Sequence, residues 1–110
     1  MDGPHVLAVD SIDRVVARKS PGAYLLGSRD KEIRYVGRSD DDIASRPKAW
    51  AYSSYWNFWF DYADSPKSAF EVECTQWHRH GGADGKLDNK NHPARPAASD
   101  WKCPDCPIFG

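Results

Sequence analysis

Cys74 and His78 stand four residues apart in a stretch that reads as helix, and Cys103-Pro104-Asp105-Cys106 lies near the end of the chain. Residues four apart share one face of a helix, so the first two can ligate one ion together. Adding the Cys-x-x-Cys pair gives a Cys3His set, a common shell for structural, tetrahedral zinc. That set uses every cysteine in the sequence. His80 and His92 are the rival fourth ligands. His80 is six residues past Cys74 and points elsewhere on a helix, whereas His92 belongs to a loop. A zinc ion held by four protein ligands would be structural and would pin the tail to the helix.

The helix itself is expected over residues 66–79. Ser65-Pro66 supplies a cap and a first-turn proline, and Gly81-Gly82 supplies the stop. Glu73 lies about 100° around the helix from Cys74, so it is available for another task. Upstream, two short apolar runs, 22–27 and 33–37, flank a charged tip from Ser28 to Glu32. That pattern reads as a β-hairpin. In Asn57-Phe58-Trp59-Phe60-Asp61-Tyr62, alternation puts Phe58, Phe60 and Tyr62 on one face of a third strand. Those rings fill the core in the favoured reading; a platform for stacking bases is the rival.

Connecting segments follow from local chemistry. Ser39 and Asp40-Asp41-Asp42 read as a capped helix start rather than a metal site, because consecutive side chains on a helix diverge. That helix ends or kinks near Arg46, since Pro47 disfavours helical backbone before it. An earlier helix is expected over 11–18, with Ile12, Val15 and Val16 on one face. Residues 1–5 read as a loose end, and 81–110 as irregular structure rich in Gly, Pro, Asp and Asn.

The hairpin carries a motif. Gly22-Ala23-Tyr24, then Tyr35-Val36-Gly37-Arg38-Ser39, then Arg46 downstream, resembles the signature of the GIY-YIG nuclease family. The resemblance covers residues 20–92, approximately, and implies a small α+β fold with a three-stranded antiparallel sheet flanked by helices. It implies that Tyr24 and Tyr35 are the two motif tyrosines, with Tyr24 as the candidate general base. Arg38 and Arg46 would be the phosphate-facing arginines. A glutamate on the helix after the third strand would bind catalytic Mg2+ or Mn2+; Glu73 fits that place, with Glu71 as its competitor. A loop asparagine would support the site; Asn89 fits, with Asn91 as competitor. The sequence departs from the family at two places. Arg46 comes one residue late. Four residues beyond it, where many members carry Tyr or His, stands Trp50, which can neither accept nor relay a proton.

At 110 residues the chain is expected to be one domain, with residues 93–110 as a zinc-held tail. Five Trp, five Tyr and four Phe must carry much of a core that has few aliphatic residues. The formal net charge of −1 provides no global basic field, so any nucleic-acid footprint must be local. No stretch is apolar enough to span a membrane. The first residues lack the basic and apolar parts of a secretory signal, and the cysteine count is odd, which points to a reducing cytoplasm. The resulting expectation is a metal-dependent endonuclease acting on nucleic acid, DNA foremost, with a homodimer or protein partner adding specificity. The alternative is a zinc-stabilised binding module on the same fold without catalysis.

Overall fold

A computed structural model describes residues 1–107. The elements run β1 (Asp2–Val6), α1 (Val9–Val15), β2 (Gly22–Gly27), β3 (Ile33–Ser39), α2 (Ser45–Ala49), β4 (Asn57–Tyr62) and α3 (Pro66–Arg79), followed by a 3-10 turn at Gly82–Asp84. The four strands form one antiparallel sheet in the order β1-β4-β2-β3. The α+β class and the antiparallel sheet agree with the sequence reading; the strand count does not.

The additional strand is β1, where a loose end was expected. It is short, mostly exposed and contains Gly3 and Pro4, so it has neither the alternation nor the apolar content that marks a strand. Proline is tolerated there because β1 is an edge strand. Its pairing with β4, Asp2 opposite Phe60 and His5 opposite Phe58, is a tertiary event with no local signal.

Central strand β2 is buried along its whole length, which explains its unbroken apolar composition. Tyr24 and Leu26 pack on one face with Phe58, Phe60, Ile12 and Ile43. Leu25 packs on the other with Val36, Trp77 and Leu87. Helix α3 therefore covers one face, while α1 and the segment around α2 cover the opposite one. Phe58 and Phe60 are core residues, as favoured from the sequence.

Two helices differ from expectation in position. Helix α1 occupies 9–15 rather than 11–18, with Ile12 fully buried. After β3, Ser39 Oγ accepts the Asp42 amide at 3.0 Å, but the capped unit is a turn, and the helix starts only at Ser45. Pro47 thus falls in a first turn, where its missing N–H costs nothing. Helix α3 matches the expected 66–79 and carries a reciprocal cap between Ser65 and Ser68. Gly81 adopts φ 99° at its end, a left-handed conformation that favours glycine. Among the described residues no helix is long and apolar enough to cross a membrane.

Candidate active site and metal centre

Tyr24 and Tyr35 come from neighbouring strands, with rings near parallel and centroids 6.3 Å apart. Tyr24 faces Gly37 across the pair. A Cβ at position 37 would lie 2.5 Å from the Tyr24 hydroxyl, so only glycine lets that ring cross the edge strand. This is the local reason for the Val-Gly step in the motif. The Tyr24 hydroxyl accepts a hydrogen bond from Trp50 Nε1 at 3.3 Å, and the Trp50 ring packs against Tyr35 at 4.9 Å.

Arg38 lies on the opposite side of β3 from Tyr35 by strand parity, and α3 brings Glu73 to it. Arg38 Nη1 donates to Glu73 Oε1 at 2.7 Å, and Nε donates to Asp40 Oδ1 at 2.9 Å. Because β3 is an edge strand, both sides open onto one cleft of about 500 Å3. Tyr24, Tyr35, Arg38, Arg46 and Glu73 all line it, as do Asp40 and Asp41. Glu71, the competing carboxylate, does not line this cleft.

Burial sets the protonation of these groups. Glu73 is 8% exposed rather than solvent-facing, and burial raises its carboxyl above the usual range, with the Arg38 guanidinium opposing the shift. Burial also pushes the Tyr24 hydroxyl well above an ordinary tyrosine, opposed by the Trp50 N–H and by Arg46. Tyr35 is raised for the same first reason.

Asn89 is placed differently from a cleft residue. Its Oδ1 accepts the Val36 amide at 3.3 Å, and its Nδ2 donates to the Val36 carbonyl at 2.7 Å. It satisfies the outer edge of β3 at the residue between Tyr35 and Gly37. Trp77 Nε1 donates to the Asn89 carbonyl at 3.0 Å, and Arg34 pairs with Asp88 at 2.9 Å. The segment is therefore a brace for the strand that bears Tyr35 and Arg38.

The metal centre is corrected at one ligand. His78, His92, Cys103 and Cys106 place one donor atom each within 4.8 Å of one another, and Cys74 is not of the group. This His2Cys2 cluster could hold a metal ion such as zinc. Cys74 is fully buried with Phe70 and Cys103. Burial, and then the neighbouring Cys103, raise its thiol. His92 takes its place because the segment after Asn89 folds back over Trp77 and His78, with ring centroids 5.3 and 5.2 Å away. His80 lies outside the cluster.

Three details fit a cation. His78 Nε2 is buried with no hydrogen-bond partner among the described residues. A carbonyl only accepts, so the 2.9 Å contact of His92 Nδ1 with the Pro93 oxygen puts the proton on Nδ1. His92 Nε2 lies 3.3 Å from Cys106 Sγ, and a neutral ring donating from Nδ1 would offer its Nε2 lone pair to a cation there. The Asp105 amide donates to Cys103 Sγ at 3.4 Å, a supporting contact to one of the sulfur donors. Four protein donors leave no open position, the mark of a structural site. The sequence offered His92 as a rival ligand; only the folding of the tail decides for it. No family model, curated protein or solved structure matches this chain.

Proposed function

We propose that the chain is a GIY-YIG-type endonuclease that hydrolyses phosphodiester bonds in nucleic acid, DNA foremost, with Mg2+ or Mn2+ bound at Glu73 and Zn2+ in the His2Cys2 centre. The observation that carries this reading is the convergence on one cleft of five side chains from four elements, Tyr24, Tyr35, Arg38, Arg46 and Glu73. The chemistry of the donor set agrees. One carboxylate suits a magnesium site that keeps several waters and takes the rest of its shell from phosphate. Two guanidinium groups face three carboxylates in the cleft, so it has no surplus positive charge for a phosphodiester until a cation is added.

In this reading Arg38 and Arg46 bind the non-bridging phosphate oxygens, a task that suits their permanent charge and planar donors. Glu73 would hold the divalent ion, which when bound supplies charge neutralisation at the phosphorane and at the leaving oxygen. Tyr24 would act as its phenolate, a form that burial opposes and that the Trp50 N–H, Arg46 and a bound divalent cation favour. The phenolate oxygen orients the attacking water and takes its proton, becoming the neutral hydroxyl. Tyr35 positions that water or the phosphate. Hydrolysis of varied DNA and RNA substrates, with Mg2+ or Mn2+ present and then chelated, tests the proposal. Metal-dependent cleavage is the expected result. Protein that binds nucleic acid but cuts none of it favours the binding module instead.

Trp50 has a defined part in this scheme. Its N–H stabilises a Tyr24 oxygen that must gain negative character. Trp50→Phe keeps a ring against Tyr35 and Tyr55 but removes the donor. One such hydrogen bond contributes about 0.5–1.5 kcal/mol, so the acidic limb of the pH–rate profile should move up by roughly 0.5–1 pH unit. An unmoved limb with unchanged turnover would show that the Trp50 contact is only packing.

A further inference from the structure

We propose that residues 92–106 form a metal-closed strap that makes one wall of the catalytic cleft, so that the His2Cys2 ion controls substrate geometry without touching substrate. The proposal deepens the nuclease reading and rests on it for the word substrate; the strap itself does not.

Both ends of the strap meet at the cluster, His92 at its start and Cys103 and Cys106 at its finish. Between them the chain reaches the active site twice. Ala94 lines the cleft beside Glu73 and Arg38. Trp101 packs against Phe70 in a tilted pair with centroids 5.6 Å apart, and its ring centre is 6.0 Å from the Arg38 guanidinium carbon. The same carbon is 5.2 Å from the Phe70 ring centre. Arg38 thus packs near two aromatic rings while its donors pair with the carboxylates of Asp40 and Glu73, and the strap supplies one of those rings. Arg95 Nη1 donates to the Trp101 carbonyl at 2.6 Å and ties the two arms of the strap together.

A segment of this kind has no ladder to keep its shape. Residues 85–107 contain neither helix nor strand. Apart from the cluster, the strap's last residues reach α3 through Thr75 Oγ1 to Asp105 at 2.8 Å and through Cys103 against Phe70 and Cys74. Its start leaves the Asn89 brace on β3 and turns at once onto Trp77 and His78. Closing both ends on one ion removes the conformational freedom of the intervening loop. A tetrahedral Zn2+ fits the two thiolates and two imidazoles.

Hydrogen–deuterium exchange on the zinc-loaded and zinc-stripped protein tests the strap with no reference to catalysis. Amides of 93–103 and of the β3 segment around Arg38 are expected to exchange at least tenfold faster after stripping, while β2 and β4 stay protected. Equal exchange in the two forms overturns the proposal, as does protein that binds no zinc. Should stripping unfold the whole chain, Trp101→Ala answers the question with the ligands intact. It is expected to keep one zinc per chain and a folded sheet, yet to raise KM for a cleaved oligonucleotide at least tenfold. Unchanged KM and kcat in that variant also overturn the proposal. If wild-type protein cuts nothing but the strap loosens on stripping, the nuclease reading fails and the metal-closed strap stands.

Discussion

Glu73→Gln is expected to fold, to keep the metal content of the His2Cys2 centre, and to lose Mg2+- or Mn2+-dependent cleavage roughly a hundredfold to a thousandfold or more. The change removes one negative charge and almost no volume. That charge pairs with Arg38 at 2.7 Å, and in the proposed mechanism it also offers the carboxylate for a divalent ion. Glutamine can accept a hydrogen bond from Arg38 but is a poor ligand for Mg2+. The loss should fall mainly on turnover, because the charge matters most as the phosphorane forms.

Stability should move the other way. The folded-state carboxyl is raised by burial, so its contribution to stability is complete below the ordinary glutamate range and is lost as pH rises through the raised value. At neutral pH the ionised Glu73 therefore costs the fold something, and glutamine does not titrate. Melting curves should show the variant gaining on the wild type between acid pH and pH 7. Arg38 keeps Asp40 as a partner, which limits the damage from the lost ion pair. An active Glu73→Gln protein would rule out this carboxylate as the metal ligand. An unfolded one would contradict the sign of the burial argument.

Cys103→Ser should be the most destabilising single change in the tail. Cys103 is 7% exposed, belongs to the cluster with Phe70 and Cys74, and is one of the four donors. Structural zinc contributes folding free energy directly, so losing a thiolate ligand should cost about 3 kcal/mol or more, roughly 10–20 °C in melting temperature for a domain of this size. Zinc per chain should fall well below one. Cys74→Ser is the informative comparison. It buries a hydroxyl where a thiol packed, at a cost of about 1–3 kcal/mol, yet it should retain one zinc per chain. His92→Ala should lower zinc affinity. Zinc lost from Cys74→Ser and retained by His92→Ala would restore the Cys3His set and reject the geometry described above.

The parts with local signals were legible in the chain alone. The hairpin, strand 57–62 and helix 66–79 are each announced by alternation, turn residues or caps, and they appear where expected. The resemblance carried by the hairpin motif named Tyr24, Tyr35, Arg38, Arg46 and Glu73 and implied that they converge on one surface, and all five line one cleft. That cleft exists because β3 is an edge strand and Gly37 has no side chain, so groups from both faces meet around it. Helical spacing pointed to Cys74 beside His78. Tertiary structure chose His92, because Cys74 is buried among apolar groups while the tail folds back over Trp77. Strand β1 was illegible for the same kind of reason. An exposed edge strand with a proline has no pattern of its own and is defined only by the β4 backbone beside it. Trp50 shows the limit most clearly. Its residue type says that it cannot relay a proton, and only its position says that its N–H reaches the Tyr24 oxygen. Spacing along a chain reports which groups share an element; which groups share a site depends on how elements pack, and that is set by burial across the whole fold.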